Sequence, residues 1–142
     1  MSADGDEVRV HPVGFFETQA DSEEEARPPL LALRDAMGRE MRIPIGSCEA
    51  FAIQLALVQR HVPRPITHDL ALQLLSKLSG RLEHVVIDTY SEEEGCHATL
   101  QVATESRTHS FEARAGDGVA LALRAELPIY VTEDVLIRAA GV

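Results

Sequence analysis

Cysteine is scarce in this chain: Cys48 and Cys96 are its only two. Two cannot build a disulfide framework, and no CxxC pair or spaced Cys/His pattern is present to hold structural zinc. Both are expected to be free thiols. No run of about eighteen apolar residues could span a bilayer, and the opening MSADGDEVRV lacks the basic-then-apolar order of a secretory leader. A cytoplasmic protein without a membrane partner is expected. Positive charge is also in short supply, with 13 Lys and Arg against 23 Asp and Glu and a net charge of −10. An acidic surface repels phosphate backbones, which disfavours loose, charge-driven nucleic-acid binding but leaves room for a local Arg cluster or a bound metal. The deficit is uneven. Residues 1 to 28 hold eight acids and two bases, so the remainder is only mildly acidic.

What is present is enough for one domain: 142 residues, 45% of them hydrophobic. The expected division is a disordered N-terminus over 1–7, a domain over 8–137 with an acidic loop at 20–28, and a tail at 138–142. EVRVHPVGFF (7–16) has strand composition, and Pro12 suggests an edge position or a break. QADSEEEARPP reads as a solvated excursion, because its like charges repel in any compact arrangement. LLALRD and REMRIPI flank Ala36-Met37-Gly38 as a β-hairpin, the glycine supplying the positive φ of a tight turn.

Ser47 is a candidate N-cap for a helix CEAFAIQLALVQR, with Glu49 at the positive end of its dipole. The polar residues of that segment share no face, so it is expected to be buried on most sides. Pro63 and Pro65 end it. Thr67 is expected to cap a second helix whose Leu70, Ala71, Leu74, Leu75 and Leu78 form the core arc, leaving Asp69 outside. Three strands follow, HVVIDTY, CHATLQVA and THSFEAR, joined by links short enough for an antiparallel meander. A short apolar helix DGVALALRA, a strand LPIYV and a last helix capped by Thr132 complete the pattern. The class is α+β, a mostly antiparallel sheet with an N-terminal hairpin and a three-strand meander packed on three to four helices.

Four blocks in order carry a resemblance: IPIGSCEAFAI (43–53), RPITHDLALQLL (64–75), FEARAGDGVALALR (111–124) and PIYVTEDVL (128–136). They resemble the bifunctional nuclease (BFN) domain family over roughly residues 8 to 137. Gly46, Glu49, Arg64, Pro65, Thr67, His68, Asp69, Arg114, Asp117 and Pro128 match its pattern. Glu112 stands where the family usually has Asp, Ala115-Gly116 where it has Pro-Ser, Gly118 where it has Ala, and Cys96-His97 where it often has Phe-Tyr. That corner should be looser here.

The resemblance implies phosphodiester hydrolysis of DNA or RNA with a divalent metal, Mg²⁺ or Mn²⁺. Such cleavage needs an activated water and something to offset phosphate charge. Glu49, Asp69, Glu112 and Asp117 are then the candidate metal ligands, His68, Asp69 and Asp117 the catalytic candidates, and Arg64 and Arg114 the phosphate contacts. The plainer reading of Thr67-His68-Asp69 is a helix cap with an acid in the first turn, which leaves His68 and Arg64 unexplained. Cys48 reads as a small buried residue more readily than as a nucleophile, and His84, His97 and His109 as sheet-face residues. The competing reading of the whole chain is a non-catalytic binding or regulatory module, a homodimer or homotrimer associating through its apolar helices.

Overall fold

The computed structural model describes residues 6–16 and 28–140. The expectations of a disordered start at 1–7 and a mobile stretch at 20–28 fall largely on residues outside these, whereas of the expected tail at 138–142 only residues 141 and 142 do, Arg138 and Ala139 belonging to the last helix. Seven strands and four helices follow in the order β1 (Glu7–Phe16), β2 (Leu30–Asp35), β3 (Glu40–Pro44), α1 (Ser47–Leu57), α2 (Thr67–Lys77), β4 (Arg81–Ser91), β5 (Gly95–Ala103), β6 (Thr108–Arg114), α3 (Ala115–Arg124), β7 (Ile129–Thr132) and α4 (Glu133–Ala139). All seven strands form one sheet in the order β3-β2-β1-β7-β4-β5-β6. Every pairing is antiparallel except β4 with β7. The α+β class, the hairpin and the meander are as the sequence pattern requires.

The short β7 is what makes one sheet of two. It pairs with β1 on one side and β4 on the other, so the N-terminal hairpin and the meander share a core. That core includes Leu31, Leu33, Met41 and Ile43 from the hairpin, Val85, Ile87 and Leu100 from the meander, and Val119 and Val131. Gly38 turns the hairpin at φ 88°, a value that costs glycine little.

Several local expectations are corrected. β1 is an interior strand, so Pro12 is not at an edge. Its register against β2 shifts between Pro12 and Gly14, and its pairing with β7 covers only Glu7 to Val10. The break was the correct half of that reading. Gly46, not Ser47, is the N-cap of α1, and Ile66, not Thr67, is that of α2; both hydroxyl residues sit one place too far in to cap. α1 stops at Leu57, with Gln59 in the left-handed region at φ 53°. It is not buried on most sides, since Phe51 and Val58 are each 55% exposed. The α4 cap holds, with the Thr132 hydroxyl accepting the Val135 N–H at 3.3 Å.

α2 is turned relative to expectation. Leu70, Leu74 and Leu78 face outward, Leu78 being 77% exposed, while Leu72 and Leu75 pack on the core and His68 is buried. Leucines lie on both arcs of this helix, so hydrophobicity alone does not choose between them. The choice falls to the polar first turn, where Asp69 is drawn inward to Arg124 and His68 to Asp117. An Arg124 cation left buried without a counter-charge would cost several kcal/mol, roughly, more than a half-exposed leucine gains.

Candidate active site at three helix starts

The first turns of three helices meet beside the end of β6. Nε2 of His68, the second residue of α2, lies 2.8 Å from Asp117 Oδ1, in the first turn of α3. Gly116, next to Asp117, abuts the start of α1: a Cβ placed on it would stand 3.1 Å from Glu49 Cβ and 3.0 Å from Ile45 Cγ2. Glycine here lets α1 and α3 approach closely. Arg114, the N-cap of α3, projects into solvent with its guanidinium 4.0 Å from Glu49 Oε1.

Burial separates the roles within this group. His68 is 8% exposed and Glu49 6%, whereas the Asp117 side chain is 38% exposed. Asp117 is therefore the member that faces solvent, with His68 behind it. The buried Glu49 carboxylate accepts no hydrogen bond among the described residues, and the Arg114 cation at 4.0 Å is beyond hydrogen-bonding range. Neither α1 nor α3 is capped by a side chain, so free N–H groups at both starts favour negative charge nearby.

Of the candidates named from sequence, His68, Asp117, Glu49 and Arg114 come together; the others do not. Asp69 turns away from His68. One carboxylate oxygen meets Arg124 Nη1 at 2.6 Å, and the other accepts the Ile66 N–H at 3.2 Å, half of a capping box. Glu112 is solvent-exposed on β6, 4.0 Å from His97 Nδ1. Arg64 lies exposed in the α1–α2 linker. Among the described residues no group of three or more His, Cys, Asp or Glu is gathered tightly enough to hold a metal ion, so the four carboxylates are not one preformed ligand set.

Two of the four carboxylates remain candidates to hold a hard divalent ion together with water and substrate. Mg²⁺ commonly keeps several waters and takes one or two carboxylates plus substrate phosphate. Glu49, buried and without a hydrogen bond, and Asp117, on the abutting helix, provide that pair.

Sequence reasoning missed Arg124, which also donates to Ala52 O at 3.3 Å. Its trace was a lone cation at the end of an otherwise apolar helix. Of the three strand histidines, His84 meets Glu7 at 2.6 Å and stacks on Tyr130, His109 stacks on Phe111, and His97 stands opposite Arg114 in the β5–β6 pairing.

A model of the bifunctional nuclease domain matches residues 31–142. The chain belongs to this family. Its relatives include the uncharacterized proteins MT1877 and Rv1829 from two strains of Mycobacterium tuberculosis. Each is 40% identical over 135 residues, covering 94% of this chain and 75% of the relative. All four residues of the site, Glu49, His68, Arg114 and Asp117, fall inside the stretch that matches the family. No helix among the described residues is long and apolar enough to cross a membrane.

Proposed function

We propose that this BFN domain hydrolyses phosphodiester bonds in DNA or RNA at the His68–Asp117 pair. One observation carries the reading: two segments 49 residues apart put a buried imidazole in hydrogen-bonding contact with a solvent-facing carboxylate at 2.8 Å. In the reaction a water oxygen bonds to phosphorus as the bond to the leaving oxygen breaks. The water's proton passes to the Asp117–His68 pair, and a proton from the pair returns to the leaving oxygen. Arg114 and the uncapped N–H groups at the starts of α1 and α3 offset the charge on the phosphate. A divalent metal, Mg²⁺ or Mn²⁺, would be held by Glu49 and Asp117 and would supply further neutralisation there. The proposed setting is the cytoplasm, where thiols such as Cys48 and Cys96 stay reduced.

The test is digestion of single- and double-stranded DNA and RNA by the purified chain, with and without EDTA. His68→Gln and Asp117→Asn are each expected to lower the rate more than tenfold. Cleavage that survives both substitutions would come from elsewhere, and the reading would fall.

A second reading, a non-catalytic module that assembles with itself, is favoured by the apolar side chains that α1 and α2 leave in water: Phe51, Val58, Leu70, Leu74 and Leu78. It expects a mass above 15.5 kDa by light scattering at micromolar concentration, returning to the monomer in Leu74→Glu.

A further inference from the structure

Between the two motifs that build the site runs the longest departure from the chain's acidity. Residues 50 to 68 contain no Asp or Glu, yet include Arg60, His61, Arg64 and His68. In the fold this stretch is the second half of α1, the linker and the start of α2. The linker walls a groove of about 790 Å³, bounded by the end of α1, the inner side of α2 and the end of α3. Arg60 and His61 line it. Arg60 also borders a second hollow of about 560 Å³ along α1, where the Phe51 ring lies half exposed.

Arg60 in this groove, and Arg64 exposed between its wall residues Pro63 and Pro65, are free to meet a ligand. Seven other arginines approach carboxylates within 4 Å, but among the described residues neither Arg60 nor Arg64 does. Of the two acids in the wall, Asp69 is already neutralised by Arg124. An exposed aromatic ring sharing a hollow with the free Arg60, with the exposed Arg64 four residues further along the linker, suits one ligand chemistry, bases that stack while phosphates are neutralised. The volume takes a short stretch of strand, since ligand pockets for single small molecules run to roughly 300–1,000 Å³. A duplex fits poorly: it carries a charge every ~1.7 Å of its axis and would set a wide phosphate surface against a protein of net charge −10.

We infer that the α1–α2 linker is a single-strand track, with Arg60 and Arg64 meeting the phosphates of a polynucleotide and Phe51 stacking a base. The track leads to the site by covalent continuity. Arg64 lies four residues before His68, and Asp69 of the groove wall is next to it in the chain. This inference rests on the nuclease reading for its purpose, but not for its test.

The experiment is fluorescence anisotropy of a labelled oligothymidylate and of a hairpin duplex of equal length, titrated with the full chain in EDTA across a series of salt concentrations. The single strand should bind more tightly than the duplex. Its log affinity should fall with log salt at a slope of about −1.4, for two phosphate contacts at about 0.7 each. Arg60→Gln and Arg64→Gln should each reduce that slope by about 0.7, and Phe51→Ala should weaken binding about tenfold with the slope unchanged. Equal or tighter duplex binding, no single-strand binding, or affinities unmoved by these substitutions would overturn the track. Hydrolysis of bis(p-nitrophenyl) phosphate, too small to need the track, reads the His68–Asp117 pair separately in the wild type and His68→Gln. Ester cleavage without oligonucleotide binding sinks the track alone. Binding without cleavage of ester or strand sinks the nuclease reading alone.

Discussion

Asp69 and Asp117 are both first-turn aspartates, and their amide isosteres separate two kinds of work. Asp69 compensates the nearly buried Arg124 and holds the Ile66 N–H. Asp69→Asn should therefore lower folding stability by about 2 kcal/mol, a partly exposed pair costing less to break than the roughly 3–5 of a fully buried one. Asp117→Asn leaves a half-exposed side chain of the same shape and should cost little stability while lowering the proposed hydrolysis more than tenfold. Urea unfolding beside the ester assay distinguishes the two; equal stability losses would undo the assignment. A second residue-scale expectation concerns acid. Burial works to raise the Asp35 carboxyl, but hydrogen bonds from the Arg39 side chain and N–H outweigh it and hold Asp35 below its ordinary value. Arg39 also grips Glu133 of α4, whose carboxyl is lowered by the same guanidinium. A depressed carboxyl takes up its proton later in the folded state than in the unfolded one. Its stabilisation is therefore complete above about pH 4.5 and is lost as pH falls through the folded values. The difference in urea midpoint between wild type and Asp35→Asn should be widest near neutrality and shrink below pH 4. The two thiols should differ as well. Cys96 is pushed up to about 11 by burial, while Cys48 is exposed. Ellman's reagent at pH 8 should find one fast thiol, absent in Cys48→Ser, and the other only after unfolding.

At the scale of elements, the caps show where one-dimensional reasoning stops. Thr132 was legible as a cap and is one, so Thr132→Ala should cost about 1 kcal/mol. Thr67→Ala, at the first helical position with no capping bond, should cost less than half of that by the same urea measurement. Thr67 and Thr132 look alike in sequence. What divides them is where the backbone first turns helical, and at α2 that is set by Asp69 reaching back to Ile66 and across to Arg124, 55 residues away. The same distant partner decided which arc of α2 is buried. Strands were easier to read, because alternation such as Cys96, Ala98, Leu100 and Val102 needs no partner to be recognised. The site was legible in its pieces, as His68 beside the α2 start and Asp117 beside the α3 start. The departure of Asp69 from it was not, since adjacent residues on a helix point about 100° apart.

For the molecule as a whole, the two halves that sequence order keeps apart, hairpin first and meander later, depend on four residues of β7 for their common sheet. Ile129 and Val131 are buried between them, with Val131 fully enclosed. The wedge position of β7 could not be read from LPIYV, which looks like any short strand; only pairing with β1 and β4 together defines it. A shared core predicts shared unfolding. Val131→Ala removes two buried carbons, a loss of about 2 kcal/mol and roughly 6 °C in Tm. Because Val131 contributes to both halves, the loss should move one cooperative transition without splitting it. Hydrogen exchange offers the local check: amides of β2 and of β5 should open with the same free energy, reduced equally by the substitution. If the hairpin amides were instead freed early while the meander kept its protection, β7 would be a seam between two units, and the first turns of α1 and α3 would lose the rigid common base on which the His68–Asp117 site depends.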